Sequence, residues 1–380
     1  MNPSMPSVPS RDGLLEIFKG LGCLFIVLHH LAFYGPMADV VAQAWPLAIE
    51  WLSAHGRLAV QVFLVCGGYL SAHSLAKLGT LAGHQLGGLV RKRYLRLAIP
   101  LLAALSLTVL VTELLRPIFD HDSLSPAPGF GQALAHVFFL QHLGGMEGLS
   151  AGVWYVAVDL QLYVSALLLI LVAQRAQAWW PQWPLKAWLG TLWCVLVAGS
   201  LWWWNRLPQL EDLNLYFLGA YGLGWLAYAV RNARSKVLGL CVMGLLGAVA
   251  WWLEPRWRVA TAWSVAAILA VAPPTWMTGT GQAKGWGRQG VGWLSRVSYS
   301  VFVVHFAVSL VVNALVTHTW PAQVWVNALG MLASLLLSLV AGAWLYEKVE
   351  KPAATGRRWW VWAEVFIASA LLAMWVNGTL

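Results

Sequence analysis

Ionisable side chains interrupt the first apolar run of this sequence at Glu16, Lys19, His29 and His30. A charge in such a run is costly and needs a partner or a use. On a helix, eleven residues at about 100° each come to roughly three turns plus 20°, so Lys19 and His30 share a face, about 16 Å apart along the axis. Cys23 and Glu16 lie within roughly 40° of that stripe, whereas His29 is turned about 100° away. A cation near one end of a span and an imidazole near the other can line one path through a membrane. An imidazole with a pKa of about 6.5 suits general-base work on a hydroxyl. A buried histidine bonded to a neighbouring helix would have the same spacing.

Further polar residues recur in later apolar runs. Asp159 stands six residues into the run that begins Val153-Trp154-Tyr155, with Gln161 and Tyr163 after it. An acid there calls for a cationic or imidazole partner, and His30 is expected at a similar depth. Ser298, Tyr299, Ser300 and His305 share another run, where His305 is either a second polar group of a site or a structural hydrogen bonder. Glu347 and Glu350 are expected to pair with nearby Lys and Arg. The run Arg91-Lys92-Arg93-Tyr94-Leu95-Arg96 suits anchoring at a membrane face, and equally a grip on a phosphate-bearing ligand. Cys23, Cys66, Cys194 and Cys241 lie in apolar runs without CxxC spacing, so neither a metal site nor a disulfide is expected.

The elements that must position these residues are membrane spans. Of the 380 residues, 59% are hydrophobic and only 10% charged, and the mean hydropathy is +0.66. A soluble core cannot absorb that apolar surface. Spans of about 20 residues fit near 14–34, 52–75, 97–115, 153–173, 187–204, 213–230, 237–253, 259–273, 294–316, 324–346 and 359–377. The fold class expected is all-α, a polytopic bundle of about eleven transmembrane helices. With the N-terminus in the cytoplasm, 19 of the 24 Lys and Arg fall inside, Arg11, Lys284 and Arg288 among them; Arg57, Arg116, Arg206, Arg256 and Arg258 fall outside. That bias sets the orientation. The net charge of +9 is therefore a topology signal, and no soluble basic domain exists to bind nucleic acid. The loop 116–152 is expected outside, with an apolar stretch at 130–141 along the membrane surface.

In this order the segments resemble the acyltransferase 3 family of integral membrane acyltransferases. Lys19 to His30 is similar to that family's Arg, ten residues, His motif, and Val62-Phe63-Leu64-Val65-Cys66-Gly67-Gly68-Tyr69 to its FFxxSGF/Y segment. Arg93-Tyr94-Leu95-Arg96 with Pro100 resembles its RxxR…P segment, and Trp154 to Tyr163 its WxLxxExxFY segment. Ser298 to His305 resembles SYSLYLxH, and Val349-Glu350-Lys351-Pro352 the closing xExP. Lys19, Asp159 and Gly67 depart from the family's usual Arg, Glu and Ser.

The resemblance implies a ten-span core, here 14–352, preceded by a cytoplasmic tail at 1–13 and followed by a linker and an added helix at 353–380. It implies transfer of an acyl group, most often acetyl, from cytoplasmic acyl-CoA to a hydroxyl of an outer-face glycan or glycolipid. Acyl-CoA would be a co-substrate, with no tightly bound cofactor, in a bacterial-type plasma membrane. His30 is then the expected base and Asp159 its orienting acid. Lys19, Arg91, Arg93 and Arg96 would bind the donor, and Glu16, Tyr163 and His305 would support the site or the acceptor. A covalent acyl-histidine and direct transfer are both open. The competing class is a proton-coupled secondary transporter, which would use the same intramembrane residues, but no paired repeat with broken helices is visible.

Overall fold

In hydrocarbon the backbone has no water to bond, so each long apolar segment must satisfy its own N–H and C=O groups, which a helix does. The computed structural model describes residues 13–78, 80–273, 276 and 286–379, with backbone alone at 286–288. Each of the eleven expected segments is helical: α1 (Gly13–Phe33), α4 (Ala59–Ala76), α5 (Leu86–Leu115), α7 (Val153–Trp179), α8 (Leu185–Trp202), α9 (Asn214–Arg231), α10 (Val237–Leu253), α11 (Trp257–Val271), α12 (Trp286–Thr319), α13 (Val324–Leu345) and α14 (Gly356–Val376). Among the described residues, eight helices are long and apolar enough to cross a membrane, and α9, α10 and α11 stand outside those eight. No strand occurs among the described residues. The tail 1–12, with Arg11, and also Lys284 and the Arg288 side chain, lie outside what is described.

Of the expected boundaries that move, two bear on the site. The second span does not begin at 52: α2 (Pro36–Ala42) precedes it, and α3 (Pro46–His55) runs through one 3-10 turn, Gly56–Leu58, directly into α4. Each opens on a proline, which fits a first helical turn. The third expected span begins earlier, at Leu86, so Arg91 to Arg96 sit on α5 and not in a loop.

Small residues bring α4 and α9 together. A Cβ on Gly68 would overlap the Tyr221 carbonyl, and one on Gly224 would overlap the Val65 carbonyl. Such close approach is how membrane helices gain packing without a hydrophobic drive. Helix α14, beyond the expected core, runs parallel to α5. Trp359 Nε1 donates to Tyr94 Oη at 2.9 Å, and Asn377 Nδ2 donates to Glu113 Oε2 at 2.7 Å, so the two helices match from end to end.

The segment 116–152 differs most from expectation. Its helix α6 (Phe130–Val137) packs one face inward through Ala133, His136 and Val137 and leaves Phe130 and Leu134 exposed on the other. Tyr94 Oη donates to the Val137 carbonyl, and Tyr94 lies 21 residues before Leu115 on α5, about 30 Å along the helix at 1.5 Å per residue. The chain therefore leaves the end of α5 and folds back along it to the level of Tyr94. His136, fully buried, ties the two limbs together. Its Nδ1–H donates to the Gln132 carbonyl at 2.8 Å, and its Nε2 accepts from Leu149 N–H at 3.1 Å. Phe139 takes the left-handed turn after α6 at φ 61, and Leu140 N–H closes that helix end on the Ala135 carbonyl at 2.8 Å.

Helix α7 consequently starts inside the bundle. Gly152 precedes it at φ 87, where a Cβ would come within 2.6 Å of the Phe302 ring. Gly152→Ala is expected to destabilise the protein by roughly 1–3 kcal/mol through backbone strain and that clash. A thermal melt in detergent matching wild type would contradict this.

Four of the five basic residues expected outside have local partners. Arg116 pairs with Glu113 at 2.7 Å and Arg206 with Glu254 at 3.1 Å. Arg256 donates to the Leu201 carbonyl at 2.8 Å, closing the end of α8, and Arg258 bonds Tyr216 Oη. A cation on terminal carbonyls also suits the helix dipole.

Candidate active site

Helices α1 and α12 run parallel, and their facing polar residues recur every seven positions. Cys23 Sγ donates to the Ser298 carbonyl at 3.6 Å, and His30 Nδ1 lies 2.7 Å from His305 Nε2. As helical phase implied, the two adjacent histidines face different neighbours. His29 Nδ1 turns to the Leu52 carbonyl on α3 at 3.3 Å, while His30 faces α12. All three imidazoles are buried, His305 completely.

Toward the Arg91 end of α5, further polar residues lie on other faces of α12. Tyr299 Oη donates to the Leu97 carbonyl at 2.7 Å, tying α12 to α5. Ser300 Oγ donates to Glu350 Oε2 at 2.7 Å. Glu350 closes a π-helical turn, Tyr346–Glu350, that continues α13. Such turns cluster at functional sites because the extra residue redirects side chains. Lys19 and Arg96 lie within electrostatic reach of the Glu350 carboxylate. Lys19, Cys23 and His30 thus line one polar stripe of α1, a column with His305 at its head and with Arg96 and the Ser300–Glu350 bond near its Lys19 end. Glu16 is buried at the start of α1.

The expected pairing of His30 with Asp159 does not form. Arg93 holds Asp159 instead: Nη2 donates to Oδ1 at 2.8 Å and to Oδ2 at 2.6 Å, and Nε donates to Oδ2 at 3.1 Å. The reason is the depth at which α7 begins. Its first residue lies inside the bundle, so Asp159, about 9 Å further along, reaches the level of Arg93. Tyr163 lies beneath the guanidinium, 5.5 Å from ring centroid to Cζ. A ring cluster separates this ion pair from the histidines: Tyr155 lies 6.2 Å from Phe63 and 5.6 Å from Phe302, and Phe302 lies 6.2 Å from His305.

Of the residues expected to act together, Lys19, Arg96, His30 and His305 join one column, whereas Asp159, Arg93 and Tyr163 form a separate cluster. Arg91 is exposed and rests against Gly356 at the start of α14. Sequence reasoning assigned Glu350 to ion pairing at the membrane edge and missed its bond to Ser300. Both residues stand in the motif segments, which was the signal; the π turn that joins them leaves none.

The family model Acyl_transf_3, described as an acyltransferase domain, matches residues 13–347. The match runs from the first residue of α1 into the π turn and leaves α14 outside. Among curated proteins, the chain is 28% identical over 170 residues to the regulator of hypoxia-inducible factor 1 of Caenorhabditis elegans. That alignment covers 41% of this chain and 34% of the relative, so the chain spans about a third of the relative's length. No solved structure matches the chain.

Proposed function

This chain belongs to the Acyl_transf_3 family and is a membrane acyltransferase, and from that premise we propose that it carries an acyl group, most often acetyl, from cytoplasmic acyl-CoA to a hydroxyl of a glycan or glycolipid at the outer face. The observation that carries this reading is the buried His30–His305 pair at the head of a polar column whose other end holds Lys19 and Arg96.

The donor's phosphates meet Lys19, Arg96 and the exposed Arg91. Arg93 is a poorer donor ligand than its neighbours, because Asp159 already matches its charge. The thioester then extends along the column toward His30. There His30 takes the proton of the acceptor hydroxyl. The oxygen attacks the thioester carbonyl, the C–S bond breaks, and the departing thiolate takes the proton from His30. Atoms and charge balance without a metal or redox partner. The transporter reading gains no support from the family match.

Cells lacking the protein test the substrate. Mass spectrometry of their surface glycans is expected to miss one acyl increment, restored by the wild-type gene and not by His30→Ala. Identical spectra from all strains would overturn the glycan assignment.

Sidedness is a separate expectation. In a background with exposed Cys241 replaced by Ser, Asp122→Cys is expected to react with an impermeant maleimide in intact cells, and His84→Cys only after permeabilisation. The reverse pattern would move the donor to the other face.

A further inference from the structure

We propose that His305 is a positioning residue that fixes the tautomer of His30, so that Nε2 of His30 is the nitrogen that takes the proton. The inference rests on His30 as base, and its direct test reads the tautomer without substrate.

Donors and acceptors fix both tautomers. His305 Nδ1 faces two backbone carbonyls, Phe302 O at 2.8 Å and Val301 O at 3.3 Å. A carbonyl only accepts, so Nδ1 of His305 carries a hydrogen. Among the described residues, no carboxylate bonds to either ring, so a resident imidazolium would be buried without compensation. His305 is therefore neutral at rest, and its Nε2 presents a lone pair. The atom 2.7 Å from that lone pair is His30 Nδ1, which must donate. Neutral His30 then has its lone pair on Nε2, and among the described residues nothing bonds to that atom.

The ring geometry agrees. The two rings lie 8° from parallel with centroids 4.9 Å apart. That separation exceeds the 2.7 Å N···N distance by 2.2 Å, about two ring radii, as for rings side by side in one plane with a nearly straight N–H···N bond. Rings stacked face to face would not bring those two nitrogens into line.

This relay runs from the Phe302 carbonyl through His305 to His30. It places a second imidazole where hydrolase triads hold a carboxylate. When His30 gains a proton at Nε2, its Nδ1–H still donates to His305, and the new charge is shared toward a ring already held by two carbonyl dipoles. Asp159, the carboxylate expected beside His30, is committed to Arg93, which leaves His305 to serve this role.

Two substitutions separate this role from packing. The Gln amide oxygen in His305→Gln can accept from His30 Nδ1–H, whereas His305→Leu fills similar volume with no acceptor. His305→Leu is expected to lose about 10²-fold or more in turnover of acetyl-CoA, and His305→Gln to recover to within about tenfold of wild type. The second readout is the ¹⁵N spectrum of histidine-labelled protein in lipid nanodiscs, with the His30 resonances identified by their loss in His30→Ala. Wild type and His305→Gln are expected to show the Nδ1–H tautomer of His30, and His305→Leu to lose it. An Nε2–H tautomer in wild type would overturn the proposal, even if His305→Leu does not fold. So would equal loss in the Gln and Leu variants with the tautomer unchanged. If the tautomer is as expected but His30→Ala keeps full turnover, the base assignment fails instead.

Discussion

His30→Ala is expected to lose nearly all acyl transfer while inserting and folding normally, and His29→Ala to lose little. General-base catalysis is typically worth about 10²–10⁴-fold, so the His30 effect should lie in that range. The two residues are adjacent, equally buried and chemically identical, which makes each the other's control. His29 spends its Nδ1 on the Leu52 carbonyl of α3, so its loss costs a hydrogen bond. His30 stands at the head of the polar column, against His305. Turnover measured on purified variants, with expression compared first, decides between them. Essential His29 with dispensable His30 would place the chemistry on the α3 side and remove the column from the mechanism.

The second large effect is expected on stability. Arg93 and Asp159 form a bidentate pair inside the bundle, with side-chain exposures of 30% and 9%. Removing one partner of such a pair leaves the other buried and uncompensated, at about 3 kcal/mol for this partly exposed arginine. Asp159→Asn and Arg93→Met should each lower the melting temperature in detergent markedly. The double variant should be more stable than the sum of the two losses, because no lone charge remains. Asp159→Glu keeps the charge and should be mild. Additive losses in the double variant would show that the two residues act independently, and the account of the ion pair would fail.

Much of the fold was legible because lipid imposes it. Eleven apolar runs gave eleven helices, and the phase of Lys19, Cys23 and His30 along α1 gave the face that meets α12. The partners of the polar groups were harder to read. The depth of Asp159 was measured from an assumed surface at Val153, but the segment before it dives into the bundle, and a start inside moves the acid from the level of His30 to that of Arg93. Hydropathy cannot distinguish an apolar stretch that floats on a membrane from one, like α6, that packs one face beside Tyr94 of α5 and Trp359 of α14. The bond from Ser300 to Glu350 depends on one π turn, whose sequence reads as ordinary helix. The match of the family model to residues 13–347 agrees with the motif order, which depends on sequence spacing alone and is untouched by those errors.

The central claim is that an acyl group crosses from a thioester on one face to a hydroxyl on the other through the column headed by His30. Purified protein in sealed vesicles, sorted by the side on which His84→Cys is labelled, tests it most directly. Radiolabelled acetyl-CoA is supplied only on that side, with the surface glycan fraction enclosed on the other. The account predicts free coenzyme A thiol on the donor side and label on the enclosed glycan, both abolished by His30→Ala. Label appearing only when donor and glycan share one side, or at an undiminished rate in His30→Ala, would contradict it.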